Sequence, residues 1–486
     1  MADTAGSEIL ISEAVAALEE SGSSADTVTS PPTAVVPAPK KSWAALVRGP
    51  DEAKPSAQSV QTSGQSSATA KRPAVTPYVI TSEEGKQQRE RDKLINLGEL
   101  VVGKNLINVE INHRTIFLTP RGMINRGNAC YANAVLQTLV FCPPFFRLME
   151  ALDVDTEDFD RLYAFLPPVT ACFAQLVKEF NKIPSNLARK TQLGREEPPL
   201  DPSFVYETLE RHGTASQQQM LSKGNQEDAQ EFLNHVLLLI HEEMVKGVAS
   251  VEKVSGPDRY TAENGSDEWT NVGSNQKKSI VREFADFTDS PLSRLFCGKL
   301  RSIRKQPGAK DFGSVEPFFM LDLPIQDPRV RTVFGALERF MQQENLHGFQ
   351  DSKGRTVPAT RRYQFEQLPA ILILHLKYFE FSSNGGLAKL QKPMDFEPVL
   401  RLQERWFASG HFQPSKSVYK LSAVVFHYGE GTENGHYTAC LFHPSSQAGW
   451  IEANDSLISV VSFDYMRRSQ LHRVPYLLFY RMQPDF

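Results

Sequence analysis

Hydrophobic positions along the chain fall into two regimes. Across residues 130–139, 159–182 and 226–245 they recur at the three-to-four-residue spacing of an amphipathic helix. The later segments 295–304, 317–323, 370–381, 418–427, 435–443, 450–453 and 474–481 are short, rich in β-branched and aromatic residues, and bounded by turn formers, which predicts strands. Helices first and strands later predict an α+β fold whose two parts face each other across a cleft. The folded part is expected to span 96–486, with its core at about 119–483. A polar stretch at about 247–278, with Gly, Ser, Asn and Asp throughout, reads as a loop insertion.

Residues 1–95 are rich in Ala, Ser, Thr, Pro and Gly and lack sustained periodicity. Such a segment buries too little apolar surface to offset its ordering entropy, so a disordered N-terminal arm is expected. Two islands interrupt it. Ile9, Leu10, Ala14, Val15 and Leu18 fall near helical spacing, and Trp43, Leu46 and Val47 stand in a polar background. Each is either a candidate docking motif for a protein partner or an incidental apolar cluster.

Composition narrows the classes. Apolar residues make up 41% of the 486 and charged residues 23%, enough to build a sizeable core. A net charge of −4 gives no sign of a nucleic-acid binder. No apolar run approaches the roughly 20 residues that span a bilayer, so no membrane partner is expected. The start of the chain lacks a secretory pattern. Five scattered cysteines show neither a disulfide framework nor C-x-x-C pairs for zinc. Free thiols suit a reducing compartment, cytoplasm and also nucleus. No metal and no cofactor are expected.

One cysteine stands out by context. Gly127 and Asn128 are turn formers, and a helical pattern starts directly after them, so Cys130 falls in the first turn of a helix. Free amides and the helix dipole there favour the thiolate, the form that attacks carbonyls. Cys142, before Pro143, has no such help. Asn125, five residues ahead, is either an ordinary turn asparagine or a donor to the oxygen of a tetrahedral intermediate. Among eleven histidines, His436 follows a glycine-rich loop into a strand. If 436–442 and 450–455 form a hairpin turning near 445 or 446, His436 lies across from residues 454–456. Asn454 or Asp455 then orients the imidazole. His427 and His443 read as structural.

These residues resemble the ubiquitin-specific protease family. The cysteine block is 122–139; further blocks are 226–233, 368–377 and the histidine block 419–439 with 450–455. The resemblance implies a papain-like cysteine protease of thumb, palm and fingers that hydrolyses the bond after the last glycine of ubiquitin. Its partners would be ubiquitin and ubiquitinated proteins. It makes Cys130 the nucleophile, His436 the base, Asn454 the third member and Asn125 the oxyanion donor. It makes Asp228 the acid that holds an arginine of ubiquitin's tail, and places Tyr437 and Tyr131 along the channel for the tail. Departures are the missing zinc-ribbon pairs, Asn454 where the family often has Asp, Tyr378 for a usual arginine, and Ala129 for a commoner threonine or serine. A silent ubiquitin-binding scaffold and a protease for another ubiquitin-like modifier are the alternative readings.

Overall fold

The structure, a computed structural model, describes residues 83–107, 114–153, 159–184, 197–212, 227–255, 269–272, 279–283, 287–308, 311–350, 354–381, 387–430, 435–468 and 472–483. The islands around Ile9 and Trp43 lie outside the described residues.

The first half is helical: α1 (Glu83–Gly103), α2 (Cys130–Val140), α3 (Pro143–Ala151), α4 (Phe159–Phe165), α5 (Pro168–Lys178), α6 (Ser203–His212) and α7 (Ala229–Ser255). Every residue of α2 is buried, which makes it a core helix rather than an amphipathic one. Pro143 and Pro144 open α3, where their missing amide hydrogens cost nothing. The single helix predicted over 159–182 is two, α4 and α5. Pro167 and Pro168 cannot continue the first and begin the second. Glu243 of α7 accepts from the amides of Val169 (3.1 Å) and Thr170 (2.7 Å) and from the Thr170 hydroxyl, satisfying donors left free at the start of α5.

Helix α1 sets the start of the folded part at residue 83 or before, not at 96. Its sequence is charged over most of its surface and buries Leu97, Gly98 and Val101, too few apolar positions to register as a period. The contact is backbone on backbone. A Cβ added to Gly98 would collide with the carbonyl of Gly247 on α7. The predicted polar insertion shrinks accordingly. Helix α7 runs to Ser255 and Trp269–Val272 is a strand, while 256–268 and 273–278 lie outside the described residues.

The second half builds the sheets. Strands β1 (Trp269–Val272), β2 (Ser279–Glu283), β3 (Gly298–Lys305) and β4 (Phe312–Phe318) come first, with α8 (Pro291–Phe296) between β2 and β3. After β5 (Leu321–Pro324) and α9 (Val333–Met341) come β6 (Glu344–Leu346), β7 (Ala359–Gln367), β8 (Ile371–Lys377), β9 (Phe379–Phe381), β10 (Leu387–Lys389) and β11 (Val399–Arg401). The chain ends with β12 (Val418–Tyr428), β13 (His436–Phe442), β14 (Trp450–Asn454), β15 (Leu457–Val461), α10 (Phe463–Arg467) and β16 (Arg473–Met482).

One sheet has six strands in the order β1-β2-β4-β3-β7-β6. The larger has eight: β15-β14-β13-β12-β16-β8-β5, with β11 added beside β12. Strand β8 is buried from Ile371 to Leu376 and β16 from Arg473 to Tyr480, which explains their unbroken apolar runs. Helix α2 packs on β12, β13 and β14. The helical layer, the larger sheet and the smaller sheet are the thumb, palm and fingers of the expected architecture.

Gly98→Val should lower unfolding free energy by about 1–3 kcal/mol, the usual cost of forcing atoms into a filled contact. Urea denaturation followed by circular dichroism checks this, and an unchanged midpoint would show that α1 does not belong to the folded unit.

Candidate active site

Helix α2 begins at Cys130 itself. The chain reaches it through Gly127, whose positive φ of 96° suits glycine, and Ala129, whose amide donates to Asn125 Oδ1 (3.1 Å). That bond fixes which way the Asn125 amide lies, with its NH2 turned the other way. The Asn125 Nδ2 donates to Asp455 Oδ2 (3.0 Å).

From the palm, β13 starts at His436. The β13–β14 ladder pairs Ala439 with Ala453 and Phe442 with Trp450, so the hairpin is centred at 446 as expected. Pairing ends at Ala439. Continued in the same register, His436 would face Ser456. It instead reaches diagonally to Asn454, whose Oδ1 lies 2.7 Å from His436 Nε2. The Cys130 thiol also hydrogen-bonds the imidazole, and that bond is the largest cause of a His436 pKa raised to about 9; burial works against it and the Asn454 bond assists. The structure therefore brings Cys130, His436 and Asn454 together.

Between Asn454 and Asp455, Asn454 is the one bonded to the imidazole. Asp455 turns the chain with φ 49° and accepts instead from the side-chain amides of Asn125 and Asn133 (2.8 Å) on the thumb. Its carbonyl accepts from the Met123 amide at 2.8 Å. The thumb loop passes so close that a Cβ on Gly122 would collide with the Ser456 backbone. Asn133, buried, also accepts from the Tyr206 hydroxyl.

Asp228 caps α7, one oxygen accepting from the amides of Gln230 (2.6 Å) and Glu231 (3.3 Å), the other from the Tyr476 hydroxyl. It is a helix cap rather than a solvated charge. Tyr437 is buried, its ring 4.7 Å from that of His427 and 5.7 Å from that of Tyr476. Burial, then the neighbouring Asp228, keeps its hydroxyl protonated. Tyr131 is buried edge-on to Phe232.

The remaining thiols are buried as well, and burial pushes Cys142 up to about 11 and Cys172 and Cys297 up to about 12, with Cys440 raised too. His427 is driven down to about 3 by burial and by Lys389 and His436 beside it. His443 Nε2 lies 2.8 Å from the Leu118 carbonyl, a bond that ties palm to thumb.

Sequence reasoning missed Asn133, Tyr206 and Glu452. Asn133 sits three residues after Cys130 in an otherwise apolar stretch, so its polarity on that helix face was the available signal. Glu452 lies two residues before Asn454. It accepts from Thr438 Oγ1 (3.0 Å) and the hydroxyls of Tyr428 (3.2 Å) and Tyr465 (3.4 Å), bracing the strands that carry His436 and Asn454. Among the described residues no group of three His, Cys, Asp or Glu side chains is placed to hold a metal.

A sequence model of the family described as ubiquitin carboxyl-terminal hydrolase matches residues 121–480. The chain is similar to ubiquitin carboxyl-terminal hydrolase 10 of Xenopus tropicalis, 32% identical over 98% of this chain and 62% of that protein. It is also similar to a probable ubiquitin carboxyl-terminal hydrolase 3 of Schizosaccharomyces pombe, 32% identical over 75% of this chain and 74% of the other. The chain spans about three fifths of the length of the hydrolase 10 relatives it matches. Its fold is shared with a chain of the SAGA Ubp8/Sgf11/Sus1/Sgf73 DUB module bound to ubiquitin aldehyde, with a TM-score of 0.52, 19% identity, and 79% and 74% of the two chains covered. With that fold and a family match running from the thumb loop to the last palm strand, this chain belongs to the ubiquitin carboxyl-terminal hydrolase family.

Proposed function

We propose that the chain is a thiol-dependent deubiquitinase, hydrolysing the isopeptide or peptide bond after the C-terminal glycine of ubiquitin on conjugated proteins. The observation that carries this is the Cys130 thiol, at the first residue of a helix, hydrogen-bonded to an imidazole whose other side meets Asn454. The structural neighbour bound to ubiquitin aldehyde, and a further one bound to monoubiquitin, support ubiquitin as the ligand.

In this reading Cys130 attacks the glycine carbonyl as a thiolate and His436 holds the proton as imidazolium. The tetrahedral oxygen takes the second N–H of Asn125, since the first already goes to Asp455. His436 then protonates the departing lysine amine and draws a proton from the water that releases ubiquitin. Asn454 accepts the Nε2–H and keeps the ring turned toward sulfur.

Asp228 would hold an arginine of the tail. Its two oxygens keep lone pairs beyond those used by α7 and Tyr476, and a carboxylate can meet a guanidinium on two bonds. Tyr131 and Tyr437 would line the path of the tail glycines. On sequence pattern alone, the Trp43 island is proposed to recruit protein partners, and the free thiols support a proposed location in the cytoplasm or nucleus.

The direct test is labelling with ubiquitin whose carboxyl terminus carries an electrophile. Wild type should form one adduct, and Cys130→Ala should form none while losing turnover by about 10⁴-fold or more. Labelling of Cys130→Ala would move the nucleophile elsewhere.

Proton balance gives a second expectation. An imidazole raised to about 9 stays charged below that pH and loses its proton above it, so kcat/KM should fall on the alkaline side near pH 9. Asn454→Ala removes one of the raising bonds and should move that limb to lower pH; an unmoved limb would separate Asn454 from the imidazole.

Asp455→Asn should cut kcat by about 10²-fold with KM nearly unchanged, because a weaker hold on Asn125 is felt as charge develops on the oxygen. Steady-state kinetics on a fluorogenic ubiquitin substrate reads this, and a change confined to KM would show that Asp455 acts on binding.

A further inference from the structure

Three palm strands end in one row beside the active site. Tyr428 of β12 pairs with His436 of β13 on one side and with Arg473 of β16 on the other. The residues just past that row, Gly429 and His472, both adopt positive φ, 122° and 61°. They meet through the Gly429 amide, which donates to the His472 carbonyl at 3.1 Å. For a histidine this left-handed conformation is unfavourable, and it persists only where the surroundings enforce it.

Lys389, the last residue of β10, supplies that hold. Its ammonium donates to the Gly429 carbonyl (2.6 Å) and to the His472 carbonyl (3.4 Å). Two residues on, the Gln391 side-chain amide donates to the Glu430 carbonyl at 3.1 Å, and Glu430 Oε1 lies 3.0 Å from His472 Nε2. Lys389 is only 8% exposed, and no carboxylate pairs with it among the described residues. Burial alone pushes its pKa down to about 8. An ammonium buried without a counter-charge is costly, and a methionine of similar length would avoid that cost. What the lysine adds over a methionine is its grip on two backbone carbonyls.

That grip reaches His436 by two routes. One is the ladder pair between Tyr428, next to Gly429, and His436 itself. The other is Gly435, packed so closely on His427 that a Cβ there would collide with the ring. The same His427 ring has its pKa driven down by burial and then by Lys389.

We propose that Lys389 is a positioning residue for the hydrolysis: by gripping Gly429 and His472 it fixes the end of β12 against which His436 pairs, and so keeps the imidazole in line with the Cys130 thiol. This rests on Cys130 and His436 being the reacting pair of the proposed deubiquitinase. A lysine that only fastened the end of the sheet would support folding without affecting the imidazole.

Lys389→Met in the full chain tests this through two readouts. On a fluorogenic ubiquitin substrate kcat should fall about tenfold or more with KM within about twofold, since misplacing a reacting group by about 1 Å can cost about 10²-fold. Titrated by nuclear magnetic resonance, the His436 ring should show a lower pKa than in wild type. The sign separates the causes. Removing a nearby cation raises the pKa of an imidazole, whereas losing the bond to Cys130, the largest cause of its elevation, lowers it. Should Lys389→Met disturb thermal unfolding, Lys389→Gln, which keeps a donor and drops the charge, gives the same two readouts in milder form. A wild type without turnover would sink the hydrolase reading, and the His436 shift would still decide the grip. A folded variant with unchanged kcat, a loss carried by KM alone, or a His436 pKa unmoved or raised would overturn the proposal.

Discussion

The site is held by the docking of one turn, Asn454 to Ser456, against the thumb loop that leads into α2. Asp455 does most of this. In its left-handed conformation it offers its carboxylate to Asn125 and Asn133 and its carbonyl to Met123, all on the opposite layer. Hydrogen bonds to a charged acceptor contribute about 1.5–3 kcal/mol each, more than neutral ones. Gly122 permits the approach, since any side chain there would meet the Ser456 backbone. The start of α2 is thereby set against β13 and β14, and with it the position of Cys130 relative to His436.

Around that seam the polar groups are tied into supports that burial alone would disfavour. Glu452 gathers Thr438, Tyr428 and Tyr465 beneath the strands that carry His436 and Asn454, and Asp228 joins the start of α7 to Tyr476 on β16. The same burial sorts the thiols. Cys142, Cys172, Cys297 and Cys440 are pushed toward the neutral form, whereas Cys130 shares a hydrogen bond with an imidazole. His427, packed at a tilt against Tyr437 only nine positions from His436, is kept neutral and so does not compete for the proton.

Much of this was legible in the residues. The turn formers before Cys130 mark the helix start, the hairpin spacing brings His436 opposite residues 454–456, and unbroken apolar runs mark β8 and β16. What escaped has physical reasons. Helix α1 is held by three buried positions and a glycine contact, which leave no period in a charged sequence. Edge strand β15 leaves Leu457 and Val460 exposed (66% and 49%), so its alternation carries no burial signal. Strand β7, ATRRYQFEQ, reads as polar because Arg361 pairs with Glu344 of β6. The division of labour between Asn454 and Asp455 depends on where the β13–β14 ladder stops, a property of the twisted sheet and not of spacing along the chain.

The Cys130 thiol and the His436 imidazole share a hydrogen bond across the seam between thumb and palm. Titration of the His436 ring by nuclear magnetic resonance, in wild type and in Cys130→Ala, measures this directly. The ring should titrate with a pKa near 9 in wild type and lower once the sulfur is removed. A value near the ordinary 6.5 in both proteins would contradict it.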